Sequence, residues 1–350
     1  MSILHVMEMN KFTPSLMTFL RKEFKDKNQY FFTYGEYSEI TSYIHDDTYY
    51  AGNLKNRFSK IKKIHIPLLL KLYKSEKVFL HGLFDFYTIL LLAFNPWLLK
   101  KCHWIIMGGD LHDYIRPIKP IDKLKNIFRK FVFRNMGYLV TYIDGDIALA
   151  RNWCGARGIY INCLCYLSNT VKETECKNTS HQGDNLVVLV GNSADKNNNH
   201  EEIFMKLIPM IDKISSIITP LTYGDDLYRA DVIKHGSRIF GDKFIAITEH
   251  LPLHEYKSNV LDRVDVAVFA HNRQQGMGNT ISLLARNKAV VMKSHTPQYV
   301  LLSNLGLGVI SFEDLSLECL EKNLRKGNDS DIVKHIFSVE SLKRQWSEML

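Results

Sequence analysis

Cysteine is scarce and poorly spaced for chemistry. The six cysteines of this 350-residue chain, Cys102, Cys154, Cys163, Cys165, Cys176 and Cys319, form no CxxC pair, and no Cys/His cluster has zinc spacing. They predict reduced thiols in a cytosolic protein, with Cys163 and Cys165 on opposite faces of a strand. Long apolar runs are also missing. No stretch reaches the roughly 18 residues of a spanning helix. The nearest, FDFYTILLLAFNPWLL at 84–99, carries Asp85 near its start and is broken by Asn95-Pro96, which predicts a buried helix. The N-terminal MSILHVMEMN has neither the basic region nor the apolar core of a secretory signal. Low-complexity segments and the short periods of solenoid repeats are absent.

What is present is a globular composition, 46% hydrophobic and 23% charged, in a chain long enough for two domains. The net charge of +8 favours anionic partners: nucleic acid, phosphorylated small molecules or an acidic membrane surface. The charge is concentrated early. Residues 54–77 carry eight Lys or Arg against one Glu, and residues 116–134 carry seven against one Asp. Leu124, Ile127, Phe128 and Phe131 recur between the charges. Two readings stay open: an amphipathic surface resting on anionic lipid, or solvated helices with a core-facing stripe. No recognised nucleic-acid motif appears, so nucleic acid is not expected as a partner.

Short apolar segments alternate with longer amphipathic ones. ILHVM (3–7), YFFTYG (30–35), VFLHG (78–82), HWIIMGG (103–109) and YLVTYI (138–143) read as strands separated by helices. The polar stretch 168–185 reads as a linker, after which strands recur at 185–193, 217–224, 243–252, 263–270 and 288–294. Helices are expected at 201–213 and 331–350. The pattern predicts two α/β domains with parallel sheets: residues 1–167, a linker at 168–185, residues 186–330, and a C-terminal helix at 331–350 that can pack back on the first domain.

Ligands of open parallel sheets sit outside the carboxyl ends of the strands. In the second half those positions hold Gly191-Asn192-Ser193, Tyr223-Gly224, Glu249-His250 and the stretch HNRQQGMGNT at 271–280. Orphan amides at a helix start attract anions. Gly276 and Gly278 would let that backbone approach a phosphate, Asn279 and Thr280 would cap the helix, and Arg273 would add a fork of donors. A tight strand-to-helix turn would use the same glycines, and the dinucleotide pattern GxGxxG is incomplete.

In the first half, His81 and Asp110 follow apolar strands and are candidate general bases; a structural histidine and a helix N-cap are the alternatives. His103, His112 and Asp113 are weaker candidates, the last two expected to face solvent. Asp144-Gly145-Asp146 has DxD spacing but reads better as a turn than as a metal site.

FLHGLF (79–84), IIMGGDLHDY (105–114), LVGNSADKNNNH (189–200), PLTYG (220–224) and FAHNRQQGMGNTISLLARNKAVVM (269–292) together resemble the bacterial Fuc4NAc transferase family, which completes the trisaccharide lipid of enterobacterial common antigen. The first thirty residues and the linker resemble it only loosely. The resemblance implies a GT-B fold, two Rossmann-like domains facing across a cleft. It implies a dTDP-activated amino-dideoxyhexose as donor and a sugar on polyprenyl diphosphate as acceptor, at the cytoplasmic face of the membrane. It implies the donor in the second domain, the acceptor in the first, and no bound metal or other cofactor. The family's HG and GD positions fall on His81-Gly82 and Gly109-Asp110, and its VGNS and RQQG blocks on Val190 to Ser193 and on Arg273, Gln274, Gln275 and Gly276. Tyr223 and Glu249, His250 and Leu251 are then candidates for the nucleoside. An O-antigen or other surface-glycan pathway fits as well, and a nucleotide-sugar epimerase of the same fold or a non-catalytic nucleotide- or lipid-binding protein are the alternatives.

Overall fold

The computed structural model describes residues 2–35, 40–54, 56–112, 114, 120–175, 185–324 and 329–350. Two compact units emerge, one of residues 1–168 and 340–350, the other of residues 169–339.

The first unit is built on a seven-stranded parallel sheet. Its strands are β1 (Ser2–Glu8), β2 (Asn28–Tyr34), β3 (Thr48–Tyr50), β4 (Lys77–His81), β5 (Cys102–Ile105), β6 (Tyr138–Val140) and β7 (Ile159–Ile161), in the order β3-β2-β1-β4-β5-β6-β7. Consecutive residues of the central strands are buried, Ile3, Leu4, Val6 and Met7 in β1 among them. Burial on both faces is what a parallel sheet flanked by helices requires. The expected helix at 331–350 is two, Asp329–Ile336 and Val339–Met349. They break at Phe337, whose carbonyl accepts from Val171 N at 2.8 Å. The second of these helices closes the first unit: Trp346 is fully buried, meets Phe79 edge-on with ring centres 5.2 Å apart, and donates to Cys165 O at 3.1 Å.

Other expectations need correction. The apolar stretch 84–99 is a helix only over Phe86–Ala93, capped by Asp85 through Thr88 N. Beyond it Phe94 and Trp97 point outward, 69% and 58% exposed. Cys163 and Cys165 are not on a strand. They lie in a buried loop where Cys165 takes a left-handed backbone (φ 65°) and its amide donates to Cys163 Sγ at 3.3 Å. Cys176 lies outside the described residues, as does the rest of 176–184, half of the expected linker.

The second unit has a six-stranded parallel sheet: β8 (Leu186–Val190), β9 (Ile214–Pro220), β10 (Phe244–Ile247), β11 (Val266–Phe269), β12 (Ala289–Met292) and β13 (Val309–Ser311), ordered β10-β9-β8-β11-β12-β13. Strand order reverses between β8 and β11, which makes the carboxyl ends of these two neighbours the topological switch point of the sheet. In open parallel sheets that is where a ligand crevice is expected. The helix after β8 is shorter than expected, His200–Leu207, because Pro209 opens a tighter turn over Ile208–Lys213.

Candidate functional site at the β8–β11 switch point

The residues that follow β8 and β11 form one hydrogen-bonded network. Asn198 is its centre and is fully buried. Its Oδ1 accepts from Asn192 N at 2.8 Å and lies 3.0 Å from His271 Nε2. Its Nδ2 donates to Ser193 Oγ at 3.2 Å and to Asp195 O at 3.0 Å. From the β11 side, Gln275 Nε2 donates to Asn192 Oδ1 at 3.2 Å, and Gln275 N donates to Gln298 Oε1 at 3.0 Å. Arg273 Nη2 pairs with Asp195 Oδ2 at 3.2 Å. Because Asn198 Oδ1 can only accept, His271 carries its proton on Nε2. Burial first, then the charges of Arg273 and His200, lower the His271 pKa to about 3, so the ring is neutral at physiological pH.

Glycine is required where these loops meet. Gly191 has φ 66°, and a Cβ there would stand 2.6 Å from His200 Nε2. Gly276 has φ 72° and caps the helix Met277–Leu284; a Cβ there would stand 3.0 Å from Asn192 Nδ2. Buried polar atoms without a hydrogen-bond partner gather at the same place: Gln275 Oε1, Gln274 Oε1, Gln298 Nε2 and His200 Nε2. Native interiors rarely leave such atoms unpaired, so these are the groups available here to bond a polar ligand or water. Arg273 supplies the positive charge.

The structure thus brings together Gly191, Asn192, Ser193, Arg273, Gln274, Gln275 and Gly276. Tyr223 and Gly224 approach them through the backbone, since Ala194 N donates to Tyr223 O at 2.7 Å. Gly278, Asn279 and Thr280 lie inside the first helical turn and do not cap it. Asn279 Nδ2 instead donates to the Tyr256 hydroxyl at 3.2 Å, and Thr280, buried, bonds back to Gly276 O at 3.2 Å. Glu249 and His250 are exposed beyond β10, at the sheet's edge, and Leu251 is half-buried. Asp195, Asn198, His200, His271 and Gln298 were not anticipated. Four of them sit inside or beside the quoted motifs; Gln298 lies in the next helix, Pro297–Asn304, with no local signal.

In the first unit the expected general bases do not fit that role. Asp110 is 1% exposed, and its carboxylate accepts from Trp104 Nε1 (2.7 Å), Leu83 N (3.0 Å), Met107 N (3.1 Å) and Leu111 N (3.0 Å). It ties the loop after β4 to the loop after β5. Burial raises its pKa against these bonds. His81 is buried in a directed chain. Gln29 Nε2 donates to Leu20 O and Phe24 O, so its Oε1 accepts from His5 Nε2 at 3.2 Å. His5 Nδ1 must then accept from His81 Nε2 at 3.2 Å, and His81 Nδ1 from the Tyr166 hydroxyl at 2.7 Å. Both ring nitrogens are used. Burial and the neighbouring His5 hold the His81 pKa well below its ordinary value.

His103 stacks on Tyr138, ring centres 4.1 Å apart, and is buried. His112 is half-buried against Trp153 rather than solvent-facing; Asp113 lies outside the described residues. Asp144-Gly145-Asp146 opens the helix Asp144–Cys154 instead of forming a free turn. Asp146 is fully buried with neither carboxyl oxygen bonded, and burial followed by the charges of Asp110 and Asp144 raises its pKa to about 7. Among the described residues no three His, Cys, Asp or Glu side chains group as a metal site.

A family model described as 4-alpha-L-fucosyltransferase, glycosyl transferase group 56, matches residues 55–350. In fold the chain is similar to Anabaena HepE solved with UDP and glucose, at 10% identity and TM-score 0.68, over 100% of this chain and 99% of that one. It is also similar to sucrose-phosphate synthase from Thermosynechococcus elongatus, at 12% identity and TM-score 0.66, over 100% and 98%. UDP-GlcNAc 2-epimerase from Methanocaldococcus jannaschii is similar at 12% identity and TM-score 0.55, over 100% and 99%. At these identities the likeness is one of fold, the GT-B architecture of two parallel-sheet Rossmann-like units.

Proposed function

The chain belongs to the group 56 glycosyltransferase family and is a nucleotide-sugar-dependent glycosyltransferase, and from that premise we propose that it moves an amino-dideoxyhexose of the Fuc4NAc kind from a dTDP-sugar to a polyprenyl-diphosphate-linked oligosaccharide. The setting is surface-glycan synthesis, enterobacterial common antigen or O-antigen, by a peripheral enzyme at the cytoplasmic face of the bacterial inner membrane. The second unit takes the donor and the first meets the acceptor.

The network at the β8–β11 switch point is the observation that supports the donor reading. Gly276 and the first amides of the Met277–Leu284 helix suit the diphosphate, with Arg273 beside it. Gln275, Asn192 and Ser193 hold the loops together and present amide and hydroxyl groups to the sugar phosphate. As the bond between the anomeric carbon and the phosphate oxygen breaks, negative charge grows on the diphosphate. Donors already fixed in place stabilise that charge without reorganising. In this mechanism Arg273 and the helix amides serve the leaving group, and no bound metal takes part. Tyr223 and the segment Glu249–Leu251 are assigned to the nucleoside. Asp110 and His81 are positioning residues that set the loops after β4 and β5.

The test is transfer of labelled sugar from dTDP-Fuc4NAc to a polyprenyl-diphosphate disaccharide, with EDTA present. Product that carries the label on lipid, formed faster from the dTDP donor than from a UDP donor, supports the reading. Conversion of the donor to a second nucleotide sugar without lipid labelling refutes it in favour of an epimerase.

A further inference from the structure

Three segments of the first unit meet in one exposed apolar surface. They are the helix Ile66–Lys74, the turn Pro96–Lys101 after Phe94, and the helix Pro120–Asn135. Ile66, Leu70, Phe94, Trp97, Leu124 and Ile127 are each more than half exposed, from 52% to 69%. The segments touch. The Tyr73 hydroxyl donates to Asn95 Oδ1 at 2.8 Å, and its ring centre lies 6.5 Å from that of Trp97. Phe94 lies 6.1 Å from Phe128, ring centre to ring centre. Leaving this many large apolar side chains in water is costly, and on soluble proteins such a patch marks an interaction surface.

The charge around the patch says what covers it. Residues 57–74 and 96–101 contain Lys and Arg but no Asp or Glu, and residues 120–135 contain Asp122 as their only acid against five Lys or Arg. A second copy of this chain docking symmetrically on the patch would set these cations against their own kind. Nucleic acid would answer the charge but not the protruding Leu70 and Ile127. A bilayer with anionic headgroups answers both, and Trp and Tyr beside basic residues are what its interface favours.

We propose that this face docks on an anionic bilayer surface, with the Phe94–Trp97 turn, Leu70 and Ile127 entering the headgroup region. No helix among the described residues is long and apolar enough to cross a membrane, so this is attachment from one side. The inference deepens the proposed function, which needs a lipid-borne acceptor, but its test uses no sugar.

The full chain is sedimented with vesicles of phosphatidylcholine alone and of phosphatidylcholine with phosphatidylglycerol, at low and high salt. Trp97 fluorescence is followed in parallel as the difference between the wild type and Trp97→Ser; the other three tryptophans, Trp104 and Trp346 fully buried and Trp153 half-buried, contribute equally to both and cancel. The expected results are partitioning at least about tenfold stronger on the anionic vesicles, weakened by salt, and a blue shift of Trp97 emission. Phe94→Ser with Trp97→Ser lowers partitioning by about tenfold or more while dTDP binding is unchanged. Lys123→Glu with Lys130→Glu, both outside the apolar core, abolishes the preference for anionic vesicles. Equal partitioning on both vesicles, or a Phe94/Trp97 variant that binds like the wild type, overturns the proposal. So does a soluble dimer that this variant dissolves, which would assign the face to self-association. Vesicle binding without dTDP binding would sink the donor reading alone.

Discussion

Asn198 Oδ1 and His271 Nε2 stand 3.0 Å apart, both residues fully buried, and this contact joins the loop after β8 to the loop after β11 across the switch point. The same oxygen takes the Asn192 amide, so one side chain sets the geometry of both walls of the crevice. Replacing Asn198 by Leu leaves His271 Nε2–H and Asn192 N–H buried without an acceptor. The expected cost is about 1–3 kcal/mol of stability, read by urea denaturation. Nucleotide affinity should fall further than stability accounts for, because Asn192 and Ser193 lose their anchor.

Arg273 is expected to act on the leaving group. Arg273→Gln keeps length and hydrogen-bonding capacity but removes the charge. Steady-state transfer rates should show kcat reduced about 100-fold, the size typical of a lost transition-state donor, with a smaller change in KM. Equal losses in ground-state nucleotide binding and in kcat/KM, with kcat intact, would assign Arg273 to binding alone.

Stability should fall in mild acid. Burial is the chief cause that lowers His5 and His271 to about 3, and His103 and His200 to about 4, from the ordinary histidine value of about 6.5. Between those values and 6.5 the unfolded chain binds more protons than the folded one. The stability present above pH 6.5 is therefore lost as pH falls, by up to about 1.4 kcal/mol per pH unit for each histidine. Thermal unfolding at pH 5.5 and pH 7.5 checks this, with the lower Tm expected at pH 5.5.

Asp146 runs the other way. Its pKa is raised to about 7, so between the ordinary carboxylate value and 7 the folded state binds the extra proton, and stability is lost as pH rises through that window. Asp146→Asn is expected to stabilise the protein, and by more at pH 8 than at pH 5, when chemical denaturation is compared at the two values. An equal effect at both would mean that Asp146 is not protonated in the fold.

Much of this molecule was legible in the sequence because parallel α/β structure writes a strong pattern. Runs such as VFLHG and RVDVAVFA are buried on both faces and stand out from their helices. The strands that escaped notice, β3, β7 and β13, are three residues each and are all edge strands, where a local apolar run is too short to register. The loops flanking the crevice were also legible, since Gly191 and Gly276 need left-handed backbones that side chains rarely adopt. Asn198, His271 and Gln298 were not, because their role is fixed by contacts between residues 23 to 73 positions apart. Asp110 and His81 misled for a related reason. Strand-end position suggested reactivity, whereas four donors saturate the one carboxylate and a directed chain from Gln29 to Tyr166 saturates the other ring. Sequence position places a residue at the sheet's carboxyl edge but does not say which way its side chain turns.

The central claim is that the β8–β11 crevice holds a nucleotide diphosphate without metal. Calorimetric titration of dTDP, UDP and GDP, each with EDTA, on the wild type and on Gly276→Val tests it most directly. Circular dichroism on both proteins confirms that they are folded. The predicted result is saturable binding, strongest for dTDP, that survives EDTA and disappears in the variant, whose new side chain would press on Asn192 at a left-handed position. No binding of any nucleotide by the folded wild type, or undiminished binding by the folded variant, would contradict it.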